Sequence, residues 1–162
     1  MKKFELTTEF ITNMFEKKLF RIKALVEFGN VKAGELGGYV EKEENVSQDG
    51  NAWVSGDAEV SGNARVYGDA WVSGNAWVSG NARVSGDADY ALVQGFGTEF
   101  RCTTFYRGKN KKIMVNCGCF HGDLEGFRKQ VKETRNGKIA KEYLMIADLM
   151  EYHFTSEDSS NE

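Results

Sequence analysis

The chain has 162 residues, with 21 Lys and Arg against 24 Asp and Glu, and its formal net charge of -3 gives it no general attraction to nucleic acid. No apolar run approaches the ~20 residues that cross a bilayer, and Glu5 and Glu9 interrupt any signal-peptide core. Its 3 cysteines, an odd number, fit a reducing compartment better than a disulfide framework. We therefore expect a cytoplasmic protein that binds neither membrane nor nucleic acid.

Residues 1–32 read as an N-terminal strand cap. In the segment 19–25, Phe20, Ile22 and Ala24 alternate onto one face, which predicts one or two strands. From residue 33 glycines and charges take over, and a six-residue frame extended backwards from the repeat places Leu36 at a Val position and Val40 and Val46 at Ala positions. We expect one irregular coil here, closing the first end of the repeat.

The segment 51–92 is one hexad repeated: Asn or Asp, Ala, any residue, Val, Ser or Tyr, Gly. Perfect copies begin at 51, 57, 63, 69, 75 and 81, and a degenerate seventh begins at 87. Within a copy, small or apolar residues alternate with variable ones, which is typical of a short strand that buries Ala and Val. The Gly-Asn or Gly-Asp pair that follows favours a tight corner. The repeat therefore predicts a coil whose neighbouring turns pair as parallel strands about 4.8 Å apart.

Residues 99–154 form a different module, since the six-residue period is lost after Gly97. Segments 99–107 and 112–120 predict a β-hairpin, and Asp123 is a candidate N-cap for a helix with Leu124, Phe127 and Val131 on one stripe. A second helix is expected from about Ile139. The polar tail 155–162 is expected to be disordered.

The run Val54-Ser55-Gly56-Asp57-Ala58-Glu59 and its copies resemble the hexapeptide repeat of left-handed parallel β-helices. That resemblance implies three hexads per coil, a triangular cross-section and a left hand. The expected fold is mainly β: a short left-handed parallel β-helix over residues 33–98, with regular hexads over 51–92, between the N-terminal strand cap and a C-terminal β-hairpin with two helices.

Residues 18 to 90 also resemble a group of small proteins encoded by tailed phages and prophages. The likeness is carried by the segments 19–25 and 28–41 and by the entry to the hexads through Asn45-Val46-Ser47. It implies a phage setting, and it implies self-association as a homotrimer or higher oligomer, which is common among similar proteins. Such proteins are often labelled hexapeptide-repeat proteins or transferases, but the second label follows fold analogy.

Three hexads per coil would stack positions eighteen residues apart, so the variable residues would form columns on the outer walls. We expect Trp53, Trp71 and Asp89 on one wall, Glu59 and Trp77 on the second, and Arg65 and Arg83 on the third; Tyr67 follows the first Arg copy. These columns would be covered by a terminal module or a neighbouring protomer, or would form a groove between protomers. In such a groove an indole stacks on a base and an arginine binds a phosphate. The candidate ligand or interface residues are Trp53, Trp71, Trp77, Arg65, Arg83 and Tyr67.

These columns favour a non-enzymatic, phage-encoded, oligomeric binding protein acting inside the host. It would antagonise antiviral defence by sequestering a nucleotide signal or by binding a host protein. One alternative is a coenzyme-A-dependent acyltransferase, since many left-handed β-helices use acetyl-coenzyme A. Those enzymes place a histidine base near the coil, whereas His121 and His153 lie outside the repeat. We therefore expect no catalytic residue and no cofactor. A virion structural protein is a further alternative.

One group of cysteine and histidine residues is a candidate metal site. Cys117, Cys119 and His121 alternate, so on a single strand they would share a face, and Cys102 could lie on the partner strand. Four such groups could form a tetrahedral zinc site, but ligands on one flat strand face converge poorly. Small buried cysteines explain the pattern as well, and no metal is expected.

Overall fold

The computed structural model describes residues 1–13, 15–86, 89–98, 101–108, 111–117 and 120–155. It is mainly β with two C-terminal helices. In chain order the elements are β1 (Phe4–Thr12), β2 (Lys18–Ala24), β3 (Leu36–Val40), β4 (Trp53–Val54), β5 (Glu59–Val60), β6 (Arg65–Val66), β7 (Trp71–Val72), β8 (Trp77–Val78), β9 (Arg83–Val84), β10 (Tyr90–Phe96), β11 (Arg101–Arg107), β12 (Ile113–Cys117), β13 (Phe120–Asp123), α1 (Leu124–Thr134) and α2 (Gly137–Thr155). The disordered tail expected from residue 155 lies outside the described residues, apart from Thr155 at the end of α2.

The hexads form a β-solenoid in which strands of equivalent position pair in parallel. Strand β4 pairs with β7, β5 with β8 and β6 with β9, always between residues eighteen positions apart. The predicted superposition is therefore confirmed, with three short strands to a coil. The inward positions are all 0% exposed: Ala52, Ala58, Ala64, Ala70, Ala76 and Ala82, with Val54, Val60, Val66, Val72, Val78 and Val84.

Hydrogen bonds between coils also form at the ends of the short strands. The Trp53 N–H donates to the Ala70 carbonyl at 3.1 Å, and the Ser55 N–H donates to the Val72 carbonyl at 2.8 Å. Within the ladders, parallel pairing exchanges N–H and carbonyl bonds in both senses between neighbouring coils. The outer edge of each end coil therefore leaves backbone groups unpaired unless another part of the chain covers it.

Donors from the N-terminal segment cover the carbonyls of the first coil. On one ladder, strand β3 pairs in parallel with β5 and antiparallel with β2, which in turn pairs with β1. On the other two ladders side chains supply donors. The Lys3 ammonium donates to the Gly50 and Ala52 carbonyls at 3.2 and 2.8 Å. The Asn45 amide donates to the Gly62 and Ala64 carbonyls at 3.2 and 2.8 Å.

The frame expected before residue 51 is wrong by two residues. Val40 pairs with Val60 and Val46 forms a bridge with Val66, so both occupy Val positions and not Ala positions. The regular spacing resumes at Asn51, whose N–H donates to Gly68. The extra residues are Gln48 and Asp49. The Gln48 side chain accepts hydrogen bonds from the Lys3 and Phe4 N–H groups and donates to the Phe4 carbonyl, which anchors the start of β1.

The C-terminal module holds a four-stranded antiparallel sheet in the order β10-β11-β12-β13, where only a hairpin was expected. Strand β10 starts within the degenerate seventh hexad, where the repeat pattern concealed it. One sheet face packs on the last coil through Tyr106 and the other packs on both helices through Phe105 and Val115. Asp123 is confirmed as the N-cap of α1, because its carboxylate accepts the Gly126 N–H at 2.8 Å. Neither described helix has the length and apolar character of a membrane span.

Candidate functional site on the outer walls of the coil

The outward residues of paired strands stand directly above one another, which defines three ladders. The tryptophan ladder is Trp53 with Trp71, the mixed ladder is Tyr39, Glu59 and Trp77, and the arginine ladder is Arg65 with Arg83. The three ladders differ in how far the rest of the chain covers them, and this difference decides which of them can meet a partner.

Trp53 does not reach the surface. Its side chain is 0% exposed and is enclosed by the rings of Phe4 and Phe28, whose centroids lie 6.2 and 5.3 Å from it in edge-on contact. The N-terminal segment therefore covers this end of the tryptophan ladder, as one of the two hypotheses expected. Trp53 belongs to the core and cannot contribute to a binding surface.

Trp71 is half-buried and lies in a shallow depression lined by Ser55, Ser73 and Tyr90. Its indole N–H donates to the Ser55 hydroxyl at 2.7 Å. The Tyr90 hydroxyl accepts from the Ser73 N–H and donates to the Trp71 carbonyl at 2.8 Å, which links the C-terminal sheet to this ladder. The depression has an aromatic floor and hydroxyl walls, so it suits a flat, polar-edged ring.

Trp77 and Glu59 are partly covered by the β1–β2 hairpin. The Phe15 ring, close to the turn of that hairpin, lies 5.9 Å from the indole of Trp77. Burial raises the pKa of the Glu59 carboxyl, and the neighbouring Asp57 adds to the effect. The hairpin therefore covers much of the mixed ladder. As a result Trp77 is half-buried and not fully exposed to solvent.

The arginine ladder is the exposed one. Arg65 and Arg83 are both exposed, and Tyr67 beside them is 38% exposed. Arg83 donates from one guanidinium nitrogen to the carbonyls of Asn63, Asn81 and Ala82 at 3.0 to 3.3 Å, which holds the side chain along the corner. Within the described residues, neither guanidinium forms an ion pair with a carboxylate. Two like charges on strands about 4.8 Å apart repel each other and attract an anion.

A polar cluster that the sequence did not reveal joins the C-terminal sheet to the last coil. Asn116 is 1% exposed, and its amide nitrogen donates to the Trp77 carbonyl at 2.8 Å and to the Ser79 hydroxyl at 3.1 Å. Its amide oxygen therefore accepts, and the partner of that oxygen is Nδ1 of His121. This arrangement assigns the proton of a neutral imidazole to Nδ1, so Nε2 carries the lone pair.

His121 lies against a corner of the coil despite its distance in sequence. Its Nε2 lies 3.7 Å, and the Tyr106 hydroxyl 3.8 Å, from the point that a Cβ would occupy at Gly80. Burial lowers the pKa of His121, which favours the neutral imidazole near pH 7. In the sequence, the glycine at position 118, directly after Cys117, is the one residue that favours a tight turn here. Such a turn is what would bring His121 back beside Asn116.

The described residues considered for zinc do not converge. Cys117 pairs with Phe120 and Asn116 pairs with His121, so Cys117 and His121 project from opposite faces of the sheet. The Cys117 sulfur accepts a hydrogen bond from the Thr103 hydroxyl at 3.0 Å, and burial raises the pKa of Cys102. Cys119 lies outside the described residues. Over the part of the chain that the structure describes, no three His, Cys, Asp or Glu side chains could hold a metal together.

Comparison with known proteins supports the solenoid. A family model described as the YdcK beta solenoid repeat matches residues 58–74, a segment that runs from β5 to just beyond β7. No curated protein matches the chain. The match covers about the length of one coil and supports a β-solenoid.

Proposed function

We propose that this protein is a non-enzymatic, phage-encoded binding protein that self-associates and acts inside the host cell. Its coil takes the left-handed sense of the hexapeptide-repeat proteins it resembles. Its partner is anionic, either a nucleotide-like small molecule or an acidic surface of a host protein, and the interaction antagonises host antiviral defence. The observation that carries the proposal is the exposed arginine ladder.

The arginine ladder suits an anion for two physical reasons. A guanidinium presents a planar fork of donors that matches phosphate and carboxylate oxygens, and it gives up hydration more readily than an ammonium. Arg65 and Arg83 are fixed one coil apart by β6 and β9, so their charges are already assembled before a ligand binds. Binding then relieves the repulsion between them, and little side-chain entropy remains to be lost by Arg83, whose guanidinium is already held.

Self-association would add an aromatic surface to the same site. Trp71 and Arg83 belong to one coil and lie at nearly equal height on different walls. When a second copy stands beside the first with parallel coil axes, the Trp71 depression of one copy faces the Arg83 wall of the other at matching height. A nucleotide placed between them would stack its base on the indole and direct its phosphate to the guanidinium.

Native mass spectrometry of the purified protein tests this function. We expect an oligomer that retains a phosphate-bearing small molecule or, for a protein partner, a stoichiometric acidic protein. The double variant Arg65→Ala/Arg83→Ala should lose the ligand while its melting temperature stays within about 2 °C of the parent, since both side chains are exposed. The matched control Lys129→Ala/Lys132→Ala removes two exposed cations from α1 and should retain the ligand. Retention by the arginine double variant would contradict the proposal.

A second candidate function is acyl transfer from coenzyme A, which the His121 geometry favours. A neutral imidazole with Nδ1 bound to Asn116 and the Nε2 lone pair beside the coil is a suitable general base. Nε2 would take the proton from an acceptor amine or hydroxyl as that group attacks the thioester carbonyl, and the coenzyme A thiolate would leave. Release of free thiol from acetyl-coenzyme A in the presence of acceptor amines would support it. Loss of that release in His121→Gln, with coenzyme A still bound, would assign the base.

A further inference from the structure

We propose that a cavity in the C-terminal module binds a short branched aliphatic group that carries a carboxylate. The cavity has a volume of about 110 Å³ and lies between the sheet and α1, away from the ladders and from His121. Its lining divides into an apolar floor and a polar mouth, and these two parts specify different halves of the ligand.

The floor is rigid and apolar. Phe127, Val131 and Tyr143 are 3%, 3% and 4% exposed, and the Phe127 ring packs against Tyr143 and Phe120 with 5.8 Å between centroids in each pair. Gly97 closes the wall, because a Cβ there would lie 2.5 Å from the Tyr143 hydroxyl oxygen. Locked aromatic rings cannot collapse into the space, so it remains available to an apolar group.

The size of the cavity limits what can enter. At about 110 Å³ it is smaller than the ~150 Å³ engineered cavity that admits benzene, so a phenyl ring is too large. A branched chain of about three or four carbons fills it better than a straight chain, because the space is short and lined on several sides. The apolar half of the ligand is therefore an isopropyl or isobutyl group.

The mouth supplies a positive charge. Gln130, Thr134 and Arg135 are exposed and line the solvent side, and the described lining contains no carboxylate. The Arg135 backbone N–H caps α1 by donating to the Val131 carbonyl, which fixes the residue at the mouth. Its guanidinium forms no ion pair or hydrogen bond with another described residue. A carboxylate next to the aliphatic group would meet this guanidinium directly.

This chemistry has two sources, a free short-chain acid and the C-terminal Val or Leu of a peptide. Isovalerate represents the first and N-acetyl-valine the second. Titration of each into isotopically labelled protein, followed by the methyl signals of Val131 and the amide of Gly97, should give saturable shifts in the millimolar range for at least one. Isovaleramide, which has the same shape without the charge, should bind about tenfold more weakly.

Two variants test the two halves of the site. Arg135→Gln should weaken carboxylate binding about tenfold and leave isovaleramide unaffected, while the matched control Lys132→Gln on the same helix should change neither. Val131→Phe should fill the cavity and abolish both. If Val131→Phe fails to fold by circular dichroism, xenon replaces it as a probe, because xenon should shift the same methyl signals and compete with isovalerate. Either of two results would overturn the proposal. The first is that neither acid gives saturable shifts at a concentration 20-fold above about 1 mM, and the second is that Arg135→Gln binds the carboxylates as tightly as the parent.

Discussion

The Lys3 side chain satisfies carbonyl groups of the first coil that have no preceding coil to bond with. It is 4% exposed, its ammonium reaches two carbonyls of the first coil, and it lies 4.5 Å from the centroid of the Phe28 ring. Burial lowers the pKa of the Lys3 amine from 10.5 to about 8. The neutral amine still carries two N–H groups, so it can satisfy both carbonyls without the cost of a buried charge.

Lys3 therefore makes stability depend on pH in a defined direction. Between about pH 8 and 10.5 the unfolded chain keeps a proton on Lys3 that the folded chain has released, so the free energy of unfolding should rise with pH. The contribution approaches about 1.4 kcal/mol per pH unit within that window. Urea unfolding at several pH values, compared with Lys3→Met, isolates it, because the variant keeps an apolar side chain and lacks the titrating amine. Parallel pH profiles for the two proteins would contradict this role.

Gly38 is required by close packing of β3 on the first coil. A Cβ at this position would lie 2.6 Å from the Ala58 carbonyl oxygen and 2.7 Å from Val54 Cγ1. Gly38→Ala should therefore lower the free energy of unfolding by about 2–4 kcal/mol, measured by urea unfolding. Gly86→Ala is the control, since nothing lies within 4 Å of a Cβ there, and it should change stability by less than about 0.5 kcal/mol. Equal effects of the two substitutions would count against the packing argument.

At the scale of elements, the two-residue insertion at Gln48 and Asp49 connects the solenoid to its N-terminal cap. Sequence periodicity predicted the ladders, because Ala and Val recur without a break from residue 52 to residue 84. It could not place Val40 and Val46, because apolar residues fit Ala and Val positions alike and nothing local marks the insertion. The shift is set by a tertiary contact, the bond between Gln48 and the backbone of Phe4.

Gln48→Ala should loosen β1 without disturbing the hexads. It removes the acceptor of the Lys3 and Phe4 N–H groups and the donor to the Phe4 carbonyl, and unpaired buried backbone groups cost about 1–3 kcal/mol. Amide exchange of Lys3 and Phe4 should accelerate at least tenfold, while exchange of the Glu59 and Arg65 amides stays close to that of the parent. Asp49→Ala, which changes the exposed neighbour, should leave all four amides unchanged.

The same distinction separates the parts of the candidate site that sequence could and could not reveal. The exposed pair Arg65 and Arg83 follows from the period alone. The burial of Trp53 depends on Phe4 and Phe28, which are 49 and 25 residues away in sequence. No local sequence pattern predicts contacts over such distances. His121 likewise gains its partner from a strand pairing, between Asn116 on β12 and His121 on β13, that the expected single strand over 112–120 did not include.

At the scale of the whole molecule, the two terminal modules hold fixed angular positions around the coil. The hairpin contacts Trp77 through Phe15, and the C-terminal sheet meets the same strand β8 through Thr104 and Asn116. Adding a whole coil moves the modules apart without rotating them. Adding one hexad turns the C-terminal module by a third of a coil relative to the hairpin.

Insertions of different length should therefore have different effects. Duplicating residues 69–86 adds eighteen residues and should keep or raise the melting temperature, because each coil adds its own core and one more interface. Duplicating only residues 81–86 presents an arginine strand to the sheet in place of β8 and should lower the free energy of unfolding by about 2 kcal/mol or more. Thermal unfolding followed by circular dichroism measures both, and equal tolerance of the two insertions would contradict the fixed geometry.

The open ladder edges at the two ends of the solenoid have a consequence for assembly in solution. A bare first coil and a bare last coil would present complementary parallel edges, so uncapped copies could join tail to head and continue without limit. Lys3, Asn45 and β3 donate to carbonyls of the first coil, while Tyr90, Thr104 and Asp89 accept from the N–H groups of Ser73, Trp77 and Ser85. The two terminal modules therefore block end-to-end growth into fibres. Lateral contact between the outer walls of neighbouring copies can then give a finite assembly.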